Sequence, residues 1–82
     1  MSKYDSLGTF LSKGTGAALT LSFAQIAQII GEPLPASARE HQAWWANEAT
    51  GRHVQAHAWM GAGWRVEALS LERQSVRFAK VD

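Results

Sequence analysis

The chain has 82 residues, of which 46% are hydrophobic and 18% are charged, with 8 basic and 7 acidic side chains. This length favours a single domain over residues 1–82, and the apolar content excludes a disordered tail. The absence of cysteine excludes disulfides, thiolate catalysis and zinc fingers built on cysteine. Because the sequence also shows no signal peptide and no long apolar run, we expect a cytoplasmic protein.

The first elements in chain order are a helix and a short strand. Tyr4, Leu7 and Phe10 recur at helical spacing, and glycines at 14 and 16 end that helix. Residues 18–21 alternate between apolar residues and threonine, which predicts a brief strand.

Two further helices are predicted next. Ser22 and Gln25 have the spacing of a capping box that starts a helix over residues 23–30, and Gly31 follows as the left-handed residue that ends it. Pro35 suits the first position of another helix, which we expect to continue as far as Trp45. A loop over 47–51 follows. Residues 53–60 fit either a helix or an extended segment, and we expect the helix.

The last third of the chain predicts a β-hairpin. Residues 64–67 and 69–71 alternate on opposite parities, which calls for a bulge near Ala68. Residues 72–74 form the turn, and residues 75–80 return with Val76 and Phe78 inward and Arg77 outward.

The predicted fold class is α+β, a small winged-helix-like domain. Its elements are a helix, a short strand, a helix-turn-helix and a C-terminal β-hairpin, which is the connectivity of a winged helix. A small α+β domain with a three-stranded sheet has the same order, and analogy between folds does not establish function.

The distribution of charge and polar groups suggests a nucleic-acid interface. From Arg52 to Lys80 there are five basic residues and two acidic ones, although the whole chain has a net charge of only +1. In a helix-turn-helix the second helix offers side chains to base edges, and arginine and glutamine suit guanine and adenine. The candidate nucleic-acid-binding residues are Ser37, Arg39, Gln42, Trp44, Asn47, Arg52, Arg65, Arg73 and Arg77.

Each of these candidates also has a structural interpretation. Adjacent tryptophans at 44 and 45 cannot share one helix face, so we expect one of them to pack inward and the other to lie near the surface. In the alternative interpretation, these two tryptophans form the core together with Trp59 and Trp64. Asn47 fits an adenine edge but also fits a helix end, and Arg65 and Arg77 would either contact phosphates or pair with nearby glutamates.

No motif for catalysis is present, and we expect no catalytic residue, no metal site and no cofactor. His53 and His57 would share a helix face, and His41 would complete a three-histidine set. The sequence lacks the glutamate-bearing helix and the nearby carboxylates that such a site needs. It also lacks a phosphate-binding loop and a nucleophile elbow.

Five segments resemble a family of small bacterial and phage domains of unknown function. They are residues 19–26, residues 34–39, the run His41-x-x-Trp44-Trp45-Ala46-Asn47, residues 53–59 and residues 63–66. The resemblance covers nearly the whole chain and implies a recurring module. It implies no activity and carries over no catalytic or binding residue.

Three functions therefore stay open. The first is a non-catalytic module that binds nucleic acid, DNA rather than RNA. The second is a protein-interaction module, either a small regulator or a phage or mobile-element protein that binds a host protein, since tryptophans suit interface hot spots. A homodimer is compatible with both. The third is a small-ligand pocket lined by His41, Trp44 and Trp45. We expect no membrane partner.

Overall fold

A computed structural model describes residues 3–48 and 54–81. The helices and strands in chain order are α1 (Asp5–Ser12), β1 (Ala18–Ser22), α2 (Phe23–Ile30), α3 (Ala36–Glu40), a 3₁₀ turn (Gln42–Trp45), α4 (Val54–Gly61), β2 (Trp64–Ser70) and β3 (Ser75–Lys80). These elements confirm the predicted α+β class. None of the described helices is long and apolar enough to cross a bilayer.

The three strands form one antiparallel sheet in the order β1-β3-β2. Phe78 lies opposite Leu19 on one side and Val66 on the other, while Arg77 lies opposite Thr20 and Ala68. The register between β2 and β3 shifts between Val66 and Ala68, which confirms the predicted bulge. The bulge keeps apolar residues on the buried face along the whole length of β2.

Helix α2 begins and ends as its local sequence predicts. The Ser22 hydroxyl accepts a hydrogen bond from the Gln25 backbone N–H at 3.0 Å, and the Gln25 side chain accepts one from the Ser22 N–H at 2.8 Å. Gly31 ends the helix with φ of 84°. Glycine is favoured at this left-handed position because glycine has no Cβ.

The expected single helix from residue 35 to Trp45 is wrong. Helix α3 ends at Glu40, His41 is extended with φ of −126° and ψ of 118°, and a 3₁₀ turn follows. In a continuous helix the Ala38 carbonyl would accept the backbone N–H four residues later. It instead accepts the Trp45 indole N–H at 2.7 Å. The break lets Trp45 turn back under α3 and become buried.

Helix α4 confirms the predicted helix before the hairpin, and it packs closely on α1. A Cβ added to Gly8 would lie 2.6 Å from the Ala58 carbonyl oxygen. Only glycine therefore permits this approach of the two helices.

An ion pair connects the residues just before α1 and just after α2. The Lys3 amino group lies 2.8 Å from the carboxylate of Glu32. This hydrogen bond raises the pKa of Lys3.

Candidate functional site

Aromatic side chains from α2, the 3₁₀ turn, α4 and the residue before α1 form one cluster in the core. The Trp45 ring stacks on Phe23 with centroids 5.1 Å apart and on Trp59 with centroids 5.9 Å apart. Trp44 meets Trp45 edge-on at 4.6 Å and Tyr4 edge-on at 5.6 Å. Trp45 and Trp59 are buried while Trp44 is half-buried, which confirms that only one of the adjacent pair packs fully inward.

The Asn47 side chain connects this cluster to the hairpin. Its Oδ1 accepts hydrogen bonds from the Trp59 indole N–H at 2.9 Å and from the Val66 backbone N–H at 2.8 Å. Its Nδ2 donates to the Val66 carbonyl oxygen at 2.9 Å. Both ends of the amide are therefore occupied within the chain. Pairing with an adenine edge would require breaking these bonds, so we leave Asn47 out of the proposed surface.

Arg39 and the hairpin turn lie at the same groove. This groove, of about 190 Å³, is lined by Arg39, by Gln74 and by apolar residues of α2 and the segment after it. The Gln74 carbonyl accepts the Phe23 backbone N–H at 2.8 Å, which holds the turn against the start of α2. Arg39 and Arg73 are exposed, and neither forms an ion pair within the described ranges 3–48 and 54–81.

The other two predicted arginines of the hairpin share one carboxylate. Arg77 Nε lies 2.8 Å from Glu67 Oε1, and Arg65 lies 3.7 Å from Glu67 Oε2. Glu67 is the bulge residue between Val66 and Ala68, and all three charged side chains are exposed. Exposed ion pairs stabilise a fold by only about 0–1 kcal/mol. Their main consequence here is to neutralise part of the positive charge on the hairpin.

Gln42 lies at a different and larger groove. A space of about 540 Å³ separates the 3₁₀ turn from β2, and Glu67 is the one charged residue among the described residues that line it. Trp45 also lines this groove, but Trp44 packs in the aromatic cluster and His41 is exposed. The three side chains of the small-ligand hypothesis do not share it. Ser37 is half-buried on α3, where its carbonyl accepts the His41 backbone N–H.

Two of the sequence-based candidates cannot be placed in this geometry. Arg52, and with it His53 of the weighed metal set, lies outside the described residues. Among the residues that are described, no three histidine, aspartate or glutamate side chains come together as a metal-binding group.

Gln74 is a groove residue that the sequence analysis did not single out. It has a positive φ of 52°, which is uncommon for a residue other than glycine. The sequence feature that indicates Gln74 as a candidate is its position beside Arg73 in the predicted hairpin turn, since loops often carry binding residues.

The comparisons with known proteins return one match. A family model described as a domain of unknown function (DUF7662) matches residues 4–81. No curated protein and no solved structure matches the chain. This match confirms that the chain resembles a family of domains of unknown function.

Proposed function

The chain belongs to the DUF7662 family, whose description names no activity, and we propose from its geometry that it is a small, non-catalytic, nucleic-acid-binding module with DNA as its target. The supporting observation is the groove shared by Arg39 of α3 and Gln74 of the hairpin turn. Arg73 precedes Gln74 in the same turn. A helix and a hairpin therefore each offer, near one end of α2, an arginine that has no ion pair among the described residues.

The proposed architecture is winged-helix-like. The strand between α1 and α2 pairs with the second strand of the hairpin, as in the sheet of a winged helix. In such folds a helix enters a groove of the duplex and the hairpin contacts the backbone beside it. Helix α3, with Ser37 and Arg39, would take the first role. The turn at residues 71–74 would take the second, with Arg73 on a phosphate.

The proposed mechanism is positioning rather than chemistry. Arginine donates fork-like hydrogen bonds to phosphate oxygens, and exposed arginines without acidic partners are the most available for this contact. Arg39 and Arg73 meet that condition, whereas Arg65 and Arg77 must first separate from Glu67. We therefore rank Arg39 and Arg73 above the other candidates. The bacterial or phage origin that the sequence resemblance implies stays a prediction.

The test is a titration of labelled duplex DNA and RNA probes, followed by fluorescence anisotropy at two salt concentrations. Arg39→Ala and Arg73→Ala should each weaken binding by about tenfold, which corresponds to about 1.4 kcal/mol. Each should also flatten the salt dependence by about one phosphate contact. Lys80→Ala is the matched control, because it removes one exposed positive charge at the other end of β3.

The controls decide between specific contacts and general charge. Equal losses of affinity in all three variants would show that binding depends on general attraction between charges and not on specific contacts. If the unmodified protein fails to bind any probe at low salt, the nucleic-acid proposal is wrong.

A second candidate function is a protein-interaction module, which the larger groove favours. None of the described residues that line this groove is basic, and the Glu67 carboxylate on its lining would repel phosphate. Ala68→Arg would fill it from β2 without touching the Arg39 groove. A pull-down with the unmodified protein would first identify a partner. The second function is supported if Ala68→Arg loses this partner and either binds nucleic acid as the unmodified protein does or neither protein binds it.

A further inference from the structure

The two edges of the sheet differ in how they are protected. Strand β2, at one edge, is bulged and carries Arg65 and Glu67, and the Asn47 amide occupies both backbone groups of Val66. Bulges, charges and covering groups are the devices by which proteins prevent an edge strand from pairing with another chain. Several of these devices therefore protect strand β2 from pairing with another chain.

Strand β1, at the other edge, has neither a bulge nor a charged residue. The Lys80 N–H donates to the Ala17 carbonyl at 2.8 Å, and the Phe23 N–H donates to the Gln74 carbonyl at 2.8 Å. Because backbone direction alternates along an antiparallel ladder, the backbone groups of Ala18 and Thr20 point away from β3. No strand within the described part of the chain pairs with them.

The segment that contains β1 is also uncharged, and the nearest charged side chain across the ladder is Arg77, opposite Thr20 on β3. No charged side chain occurs between Gly14 and Gly31. An apolar groove of about 280 Å³ lies beside the strand, lined by Phe10, Leu21 and Ile29 together with two glutamines of α2. Phe10 is 42% exposed, although it is a large apolar side chain. An open strand edge next to exposed apolar surface is typical of a β-pairing interface.

We propose that β1 pairs antiparallel with β1 of a second copy of this chain, about a two-fold axis at Leu19. Ala18 then lies opposite Thr20 of the partner subunit, and each such pair exchanges both of its backbone hydrogen bonds. The two sheets become one continuous sheet. The half-buried Leu19 side chain meets its symmetry mate across the axis.

A second copy suits this edge because the strand is self-complementary. The free backbone groups lie at equal distances on both sides of Leu19, which a two-fold axis requires. The segment lacks charge, so two copies bring no like charges together at the interface. Strand pairing alone buries little surface, and the exposed Phe10 side chain beside β1 adds apolar area to it.

The first test uses the absence of cysteine from the chain. In the proposed register Leu19 faces its symmetry mate as a non-hydrogen-bonded pair with Cα atoms about 4.5 Å apart, which suits a disulfide. The Leu19→Cys variant should therefore cross-link rapidly under mild oxidation. Leu69→Cys is the matched control, since Leu69 is an equally half-buried leucine on the other edge strand. Cross-linking of Leu69→Cys but not of Leu19→Cys would overturn the proposal.

The second test measures the mass in solution by sedimentation over a wide range of concentrations. The unmodified protein should sediment as a dimer. Thr20→Pro removes an outward N–H but no hydrogen bond to β3, so it should raise the dimer dissociation constant by at least about tenfold. Thr20→Val keeps the N–H and should remain dimeric. A monomer at every concentration would overturn the proposal and leave the edge to an extended segment of another protein.

Circular dichroism separates loss of pairing from loss of folding. A folded and monomeric Thr20→Pro variant supports the proposal, and a folded variant that remains fully dimeric contradicts it. If Thr20→Pro does not fold, the Leu19→Cys and Leu69→Cys pair decides the question.

Discussion

Asn47 joins three separate parts of the molecule through a single side-chain amide. It follows the 3₁₀ turn, bonds to the indole of Trp59 on α4 and pairs with both backbone groups of Val66 on β2. The pairing with Val66 imitates the contact of a neighbouring strand and closes part of the β2 edge. Trp59 is fully buried, and the Asn47 Oδ1 accepts its indole N–H.

We expect Asn47→Ala to destabilise the fold by about 1–3 kcal/mol, because a buried N–H would be left unsatisfied. Urea unfolding followed by tryptophan fluorescence measures this change. Gln42→Ala is the control, since Gln42 is an exposed polar residue on the same segment, and it should change stability little. An Asn47→Ala protein of normal stability that had lost nucleic-acid binding would instead support a recognition role for Asn47.

Helices α1 and α4 cross in close contact at Gly8. Gly8 lies against the backbone of Ala58 rather than against a flexible side chain, so an added methyl group cannot be relieved by a rotamer change. Helix propensity alone would favour alanine over glycine by about 1 kcal/mol. The contact should reverse that preference.

We therefore predict that Gly8→Ala destabilises the protein by about 1–3 kcal/mol. Gly61→Ala is the matched control at the end of α4, where an added Cβ meets no atom within 4 Å. That control should be neutral or slightly stabilising. Thermal unfolding of both variants gives the comparison, and a stabilised Gly8→Ala protein would show that α1 and α4 can separate without cost.

At the scale of the whole molecule, the positive charge of the hairpin is partly neutralised by one residue. Glu67 pairs with both Arg65 and Arg77, whereas Arg39 and Arg73 have no acidic partner in the described residues. The near-neutral total charge therefore conceals an uneven distribution. Glu67 also lines the groove between the 3₁₀ turn and β2, so it contributes charge to two surfaces at once.

We predict that Glu67→Gln tightens nucleic-acid binding and steepens its salt dependence, because it raises the net charge from +1 to +2 and frees two arginines. Each additional phosphate contact should steepen the slope by about 0.9. Anisotropy titrations over several salt concentrations measure it. Glu72→Gln is the control with the same change in charge. An unchanged slope in Glu67→Gln would exclude Arg65 and Arg77 from the interface.

The local elements of this protein are determined by the sequence itself. The capping box at Ser22, the left-handed Gly31 and the change of parity near Ala68 each depend on residues a few positions apart, and the structure confirms them. Short-range patterns of this kind favour particular φ and ψ values and indicate the buried face without reference to distant segments. The α+β class follows from their order.

The tertiary structure alone decided which side chains were available for function. Asn47 bonds to a backbone 19 positions away, and Trp45 interrupts the expected helix to bond to Ala38. Arg77 pairs with Glu67 rather than Glu72, while Arg39 comes beside Gln74. A side chain's residue type states what it can bind, but its actual partner depends on which distant segments packing brings within hydrogen-bond distance.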